Sequence, residues 1–134
     1  GEAVVISHPD IARDFRYAIK RHGGMLAKGR ILGIQFEELF KDSLYFDICR
    51  EANRLAYRIR DAFLKKGLPL FGASPTNQQF VQLTDEQIAW MNQRFLSEPW
   101  GPGEPGRTVI RFCTSWATTA ENVAALENAI EEML

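Results

Sequence analysis

The sequence predicts an α/β chain whose latter half is an α+β domain, a small sheet with helices on one face. Three observations lead to this prediction. The 134 residues are 46% apolar and 25% charged, and a chain of this length can bury roughly two-thirds of its surface. Residues 42–66 carry a clear helical periodicity. After residue 67 the patterns follow the order strand, strand, helix, strand, helix, which is typical of an α+β layer.

The first part of the chain reads as one strand followed by helices. Residues 2–6 are apolar and predict a buried strand. Pro9 favours the start of a helix that runs to Arg21, and the glycine pair 23–24 ends it. Residues 25–40 predict a second helix.

A lone strand leaves its backbone groups without partners, so we expect the other strands of its sheet to lie outside this chain. The first residue is Gly1 rather than Met. Both features favour a C-terminal piece of a longer protein.

The helix predicted over residues 42–66 is the most regular element of the chain. Its apolar positions recur every three or four residues: Leu44, Ile48, Ala52, Leu55, Ile59 and Phe63. Charged residues, arginines among them, occupy the other faces, and Gly67 ends the helix.

The latter half is predicted from turn and capping signals. Residues 69–71 and 79–83 are strand candidates, and residues 108–113 form a third. Capping boxes at 84–87 and 118–121 open two helices, of which the first runs to Leu96. The proline- and glycine-rich residues 97–106 predict a surface loop.

Charge and composition argue against several classes of partner. The chain has 16 Lys+Arg and 17 Asp+Glu, whereas nucleic-acid binders carry a basic excess. No stretch approaches the roughly 18 apolar residues that span a bilayer. We therefore expect no nucleic-acid or membrane partner, and a cytoplasmic location.

The cysteine and histidine residues predict neither a disulfide nor a metal site. Cys49 and Cys113 stand alone, as small buried thiols of a reducing compartment do, although spacing leaves a bridge between them open. His8 and His22 lie near predicted helix ends without a partner at metal-ligand spacing. No catalytic nucleophile and base can be assembled from the sequence.

Arg111 is the first candidate binding residue. Strand alternation places Arg111 with Val109 and Cys113 on one face, and Ile110 and Phe112 on the other. A guanidinium among apolar residues needs a partner, and its planar fork matches a carboxylate. Two interpretations stay open: an internal salt bridge or solvated edge residue, or an anion-binding residue.

The diglycine turn is the second candidate. Gly23 and Gly24 are followed by Met25 and a helix that contains Lys28 and Arg30. Free backbone N–H groups at a helix N-terminus can bind phosphate. A plain turn between two helices is the other interpretation.

Both candidates lie in segments that resemble a known family. The run Arg111-Phe112-Cys113-Thr114-Ser115-Trp116-Ala117-Thr118-Thr119 resembles the C-terminal strand-to-helix segment of pyridoxal-phosphate (PLP)-dependent threonine aldolases and related β-eliminating lyases. The opening Gly1-Glu2-Ala3-Val4-Val5 and the turn His22-Gly23-Gly24-Met25 resemble earlier segments of the same enzymes. The resemblance covers nearly the whole chain.

The resemblance implies a fold and a domain organisation. These enzymes have the fold-type-I architecture, and the chain would be their C-terminal region. Residues 1–66 are then the end of the large cofactor domain with a linking long helix. Residues 67–134 are the small C-terminal α+β domain.

The resemblance also implies an activity. Family members use PLP as an electron sink and cleave β-hydroxy-α-amino acids to glycine and an aldehyde. The implied partners are an amino-acid substrate and further copies of the enzyme, in a dimer or tetramer. Alternatives are another β-eliminating lyase or a transaminase-like enzyme. A stand-alone amino-acid-binding or regulatory module is a further alternative, which requires residues 1–66 to pack as a self-contained unit.

Site residues follow by position. Arg111 matches the arginine that binds the substrate α-carboxylate. Gly23 and Gly24 match a turn near the cofactor phosphate of a neighbouring subunit. The family pattern continues with an arginine after the Met, and this chain has Leu26 and Ala27 there, so Lys28 is the candidate for that charge.

The cofactor-binding lysine of the family comes before the segment that begins this chain. We therefore expect it upstream of Gly1, with no catalytic residue in the chain itself. The chain on its own is expected to be inactive and to bind no PLP.

Overall fold

A computed structural model describes residues 3–133. The chain divides into two compact units, Gly1–Tyr45 and Phe46–Leu134, and each is described by itself. The boundary predicted at residue 66 concerns the domains of a larger enzyme and stays a prediction.

The described part of the first unit is helical. Helix α1 is Pro9–Ala12, α2 is Phe15–Arg21 and α3 is Arg30–Phe40. A short 3-10 helix, Lys41–Ser43, leads into the long helix α4, Leu44–Lys65.

Two helix predictions in this unit need correction. The helix predicted from Pro9 to Arg21 is interrupted at Asp14, whose φ of 56° is left-handed, a conformation that a helix interior excludes. The second helix begins at Arg30 instead of Met25.

The predicted strand at residues 2–6 is wrong for its described part. Glu2 lies outside the described residues, and residues 3–6 form no strand. Val4 is 72% exposed and Val5 93%. A strand forms only where another strand satisfies its backbone groups, and none of the described residues pairs with this segment.

Helix α4 confirms the predicted apolar face from Ala52 onwards, whereas Leu44 is 47% exposed and Ile48 half-buried. Its buried side consists of Ala52, Leu55, Ala56, Ile59 and Phe63. Gly67 follows with a φ of 80°, and its N–H donates to the Leu64 carbonyl at 2.9 Å. The helix therefore ends where glycine permits the left-handed turn.

The sheet of the second unit is antiparallel, in the order β1-β3-β2. Its strands are β1, Gln78–Leu83, β2, Glu98–Pro102, and β3, Thr108–Cys113. β3 is confirmed and β1 differs from its prediction by one residue. Residues 69–71 supply only an isolated bridge, between Leu70 and Val81.

β2 corrects the prediction of a loop at residues 97–106. Its Pro99 and Pro102 lack a backbone N–H, and proline is tolerated in a strand at the edge of a sheet. β2 occupies such an edge, so a segment with the composition of a turn can form a strand there.

The two remaining helices begin with capping boxes. α5, Asp85–Met91, starts at Thr84, whose side chain and that of Gln87 cap reciprocally, as predicted. It ends earlier than the predicted Leu96. α6, Ala120–Glu132, starts at Thr119 with Asn122, one residue later than the predicted box.

The core lies between one sheet face and helices α4, α5 and α6. It contains Leu55, Ile59, Phe63, Leu68, Val81, Leu83, Met91, Ile110, Val123, Leu126, Ile130 and Met133. The small sheet with helices on one face is therefore confirmed. No described residue before Ala52 is buried.

Ion pairs join α4 to α6 beside this core. Arg58 donates two hydrogen bonds to Glu127, at 3.0 and 2.5 Å. Lys65 Nζ donates to Glu131 at 2.6 Å, and this hydrogen bond lowers the pKa of Glu131.

Acid is expected to weaken the contact between α4 and α6. A lowered folded-state pKa means that Glu131 stabilises the fold above its ordinary pKa of 4.5, and that this contribution disappears as pH falls through the lowered value. Glu131→Gln should therefore flatten the acid limb of a plot of unfolding free energy against pH. High salt should shrink the difference, because both side chains are largely exposed. Parallel curves for the variant and the parent chain would contradict the assignment.

Candidate functional site

Arg111 lies on the central strand and on the sheet face opposite the core. Val81 and Ile110 are register partners and both belong to the core. The next pair along the strands, Phe80 and Arg111, therefore faces the other way. This agrees with the predicted alternation. Arg111 is half-buried.

Aromatic rings hold the Arg111 side chain. The guanidinium Cζ lies 4.9 Å from the centroid of the Trp100 ring. Trp100 in turn packs against Phe80, with 5.3 Å between the ring centroids. Among residues 3–133, no hydrogen bond or ion pair engages the guanidinium. The internal salt bridge is not formed within this range, which leaves a solvated residue and an anion-binding residue as the two interpretations.

A groove lies beside these rings. It has a volume of about 300 Å³ and is lined by residues 71–75 with Phe80 and Trp100. The Tyr57 hydroxyl donates to the Pro75 carbonyl at 2.8 Å, which fixes one wall of the groove to helix α4. Phe80 and Trp100 line this groove, whereas Arg111 is not among its lining residues.

Thr114 anchors the end of the strand that carries Arg111. It is 2% exposed, and its hydroxyl donates to the Ala52 carbonyl of α4 at 2.7 Å. Asn77 Nδ2 donates to the Thr114 carbonyl at 2.6 Å. These bonds tie β3 both to the long helix and to the segment that precedes β1.

The diglycine turn lies in the other unit and is a helix C-cap. The Gly23 N–H donates to the Lys20 carbonyl at 3.2 Å, and the Gly24 N–H to the Ile19 carbonyl at 2.9 Å. This is the Schellman arrangement, and Gly23 has the φ of 74° that it requires. Both amides are therefore occupied, as the plainer interpretation expects.

Lys28 is exposed in the turn before α3. Its carbonyl accepts from Ile31 N–H at 3.1 Å, so its backbone takes part in the first turn of that helix. Arg111 belongs to the second unit, and the roles of Gly23, Gly24 and Lys28 towards a cofactor stay predictions.

The cysteines form no disulfide, as predicted, and both are free. Burial of both was expected and is wrong: Cys49 is half-buried and Cys113 exposed. Cys113 follows Arg111 by two positions and shares its sheet face, away from the core. In the described part of the chain, no His, Cys, Asp and Glu residues gather in a group able to hold a metal ion.

Sequence reasoning missed Trp100 and Phe80. The sequence predicts a loop at Trp100, and the contact of Trp100 with Arg111 depends on the pairing of β2 with β3. The position of Phe80 could have been predicted, since it alternates along the strand with the core residue Val81.

None of the described helices combines the length and apolar character needed to cross a membrane.

Comparison with known proteins relates this chain to threonine aldolases. It is 29% identical over 131 residues to a low specificity L-threonine aldolase of Pseudomonas aeruginosa, covering 97% of this chain and 37% of the relative. The solved threonine aldolase of Leishmania major superposes with a TM-score of 0.84 and 33% identity, over 90% of this chain and 35% of that one. The chain thus spans little more than a third of these proteins.

A more distant structure shares the fold alone. The 8-amino-7-oxononanoate synthase of Francisella tularensis matches with a TM-score of 0.59 and 14% identity, over 93% of this chain and 39% of its own length. No model of a known protein family matches the chain. The resemblance to the C-terminal part of a PLP-dependent, fold-type-I threonine aldolase or β-eliminating lyase is confirmed by the two aldolases, and with it the predicted fold class.

Proposed function

We propose that this chain is the carboxylate-binding part of a PLP-dependent lyase of the threonine aldolase type. The substrates are β-hydroxy-α-amino acids, and the products are glycine and an aldehyde. One observation carries the proposal: Arg111 presents a guanidinium that no described residue engages by a hydrogen bond or ion pair. It does so at the position where the resemblance to the aldolases is most specific.

Arg111 suits an amino-acid carboxylate for geometric reasons. The guanidinium edge offers two parallel N–H donors, which match the two carboxylate oxygens. Among the described residues, no oxygen accepts a hydrogen bond from these donors, and the nearest described partner of the group is the Trp100 ring. A carboxylate held at two points has a fixed plane and a fixed Cα–carboxyl axis, which limits how the other bonds at the substrate Cα can be oriented.

Few residues of this chain are proposed to lie near the cofactor, and none of them is proposed to bind it covalently. When bound, PLP supplies an electron sink for the charge left at Cα by bond cleavage. The backbone amides of Gly23 and Gly24 already donate hydrogen bonds within the chain, so we propose that these glycines set the shape of the turn. We propose that Lys28 supplies the positive charge near the cofactor phosphate. The lysine that binds PLP covalently is assigned to another part of the enzyme.

The first unit supports an enzyme rather than a stand-alone module. The stand-alone alternative requires residues 1–66 to pack by themselves, yet no residue from 3 to 45 is buried. The buried residues of α4, from Ala52 to Phe63, belong to the second unit. We propose that the complete enzyme is a cytoplasmic homo-oligomer, a dimer or tetramer, in which this unit packs on the remainder of the protein.

The products distinguish aldol cleavage from its nearest alternatives. The full-length enzyme is expected to release glycine and acetaldehyde from threonine. A keto acid with ammonia would identify β-elimination instead, and a keto acid with an aminated cofactor would identify transamination.

The isolated chain is expected not to bind PLP covalently. With PLP added, it should show only the absorption of the free cofactor, because the required lysine is assigned elsewhere. Borohydride treatment followed by mass spectrometry should leave no lysine carrying the cofactor in unit stoichiometry. A single stoichiometric adduct, for example at Lys20 or Lys28, prevented by a carbonyl reagent, would contradict the assignment.

A further inference from the structure

A β-bulge presents Trp100 to Arg111. β2 pairs with β3 through Glu98 opposite Arg111 and Pro99 opposite Ile110, and the register then resumes with Gly101 opposite Val109. Trp100 is the extra residue at this shift. Bulges of this kind redirect one side chain and occur next to active sites.

Burial in the core does not account for the placement of Trp100. Its side chain is 54% exposed and packs on the sheet face opposite the core. Its described ring contacts are Phe80, at 5.3 Å between centroids, and the Arg111 guanidinium, at 4.9 Å. The described contacts of the indole are therefore with Phe80 and Arg111 rather than with the core.

Glu98 gives this contact a specific consequence. As the direct register partner of Arg111, it lies on the same sheet face. It is the carboxylate that β2 places opposite the guanidinium. The two side chains nevertheless form no ion pair within the described residues. Engagement by Glu98 would occupy the fork that an external carboxylate needs.

We propose that Trp100 is a positioning residue that holds Arg111 ready for the substrate carboxylate and away from Glu98. The proposal rests on the proposed function, since it takes Arg111 as the carboxylate clamp. Contact with the Trp100 ring restrains the long side chain without pairing its N–H donors with an oxygen. Less freedom is then lost when a carboxylate binds.

The test is glycine binding to the full-length, PLP-loaded enzyme, followed by the spectral change of the bound cofactor. Trp100→Leu removes the aromatic face and is expected to weaken glycine binding by about 2- to 10-fold, the range of a partly exposed cation–π contact with its ordering effect. Trp100→Phe keeps an aromatic face and should retain most of the affinity. Glycinamide lacks the carboxylate, so its affinity should not change in either variant.

A double variant tests the role of Glu98. Trp100→Leu combined with Glu98→Gln should recover part of the lost affinity, because the competing carboxylate is gone. Arg94→Met is the matched control, as it removes another arginine–tryptophan stack, Arg94 over Trp90 at 4.4 Å. It should leave glycine binding unchanged.

Three results would overturn the positioning role. They are unchanged glycine affinity in Trp100→Leu, equal loss for glycine and glycinamide, and no recovery in the double variant. A different result would contradict the proposed function itself. In that case Arg111→Lys would leave glycine affinity unchanged, regardless of the results for the Trp100 variants.

Discussion

Arg111→Lys in the full-length enzyme is expected to raise the apparent KM for the amino-acid substrate and to lower kcat/KM by about 30-fold, a cost of about 2 kcal/mol. The ammonium keeps the charge but replaces a planar two-point clamp by a single point. A lysine ammonium has no planar edge, so it cannot contact the Trp100 ring and bind both carboxylate oxygens side by side at the same time. The carboxylate would still be attracted, but its orientation would be lost.

Steady-state kinetics with threonine measure this effect. Arg94→Lys is the matched control, because Arg94 is also stacked on a tryptophan but lies on α5's C-terminal side, away from the proposed clamp. It should leave kcat/KM within about 2-fold, as surface substitutions do. Unchanged kinetics in Arg111→Lys would remove Arg111 from the site.

The sequence predicted the elements that depend on interactions between residues close together in the chain. The apolar spacing of α4 and the cap formed by Thr84 and Gln87 depend on residues a few positions apart. The alternation of β3 likewise predicted which residues share a face with Arg111. These features required no knowledge of distant parts of the chain.

Features that depend on distant partners were not predictable in the same way. Residues 3–6 have the composition of a strand, yet none of the described residues pairs with them. The reverse holds for β2, where Pro99 and Pro102 suggest a loop although β3 supplies the partner. In both cases pairing, rather than composition, decides the outcome.

The candidate site shows the same division. Arg111 was identifiable because an arginine within an apolar strand is conspicuous. Its contact with Trp100 was not, since it depends on the sheet order and on the bulge in β2. The occupied amides of Gly23 and Gly24 were consistent with the helix-ending role of glycine, which the sequence also indicated.

Phe63→Ala is expected to cause the largest loss of stability in the second unit. Phe63 is completely buried, and its ring lies 4.9 Å from that of Phe112, the residue after Arg111 on β3. Truncating a buried phenylalanine typically costs about 3–5 kcal/mol, because it loses apolar burial and leaves a cavity. Chemical denaturation of the 134-residue chain measures the change as a lower midpoint with an unchanged slope.

The neighbouring Leu64→Ala separates this core effect from any effect on helix α4. Leu64 is 50% exposed, and alanine is a good helix former, so its loss should stay below about 1 kcal/mol. Equal losses in the two variants would mean that the helix, rather than its contact with the sheet, limits stability. A large loss confined to Phe63→Ala would instead show that burial of this ring in the core, against which Phe112 packs, limits the stability of the unit.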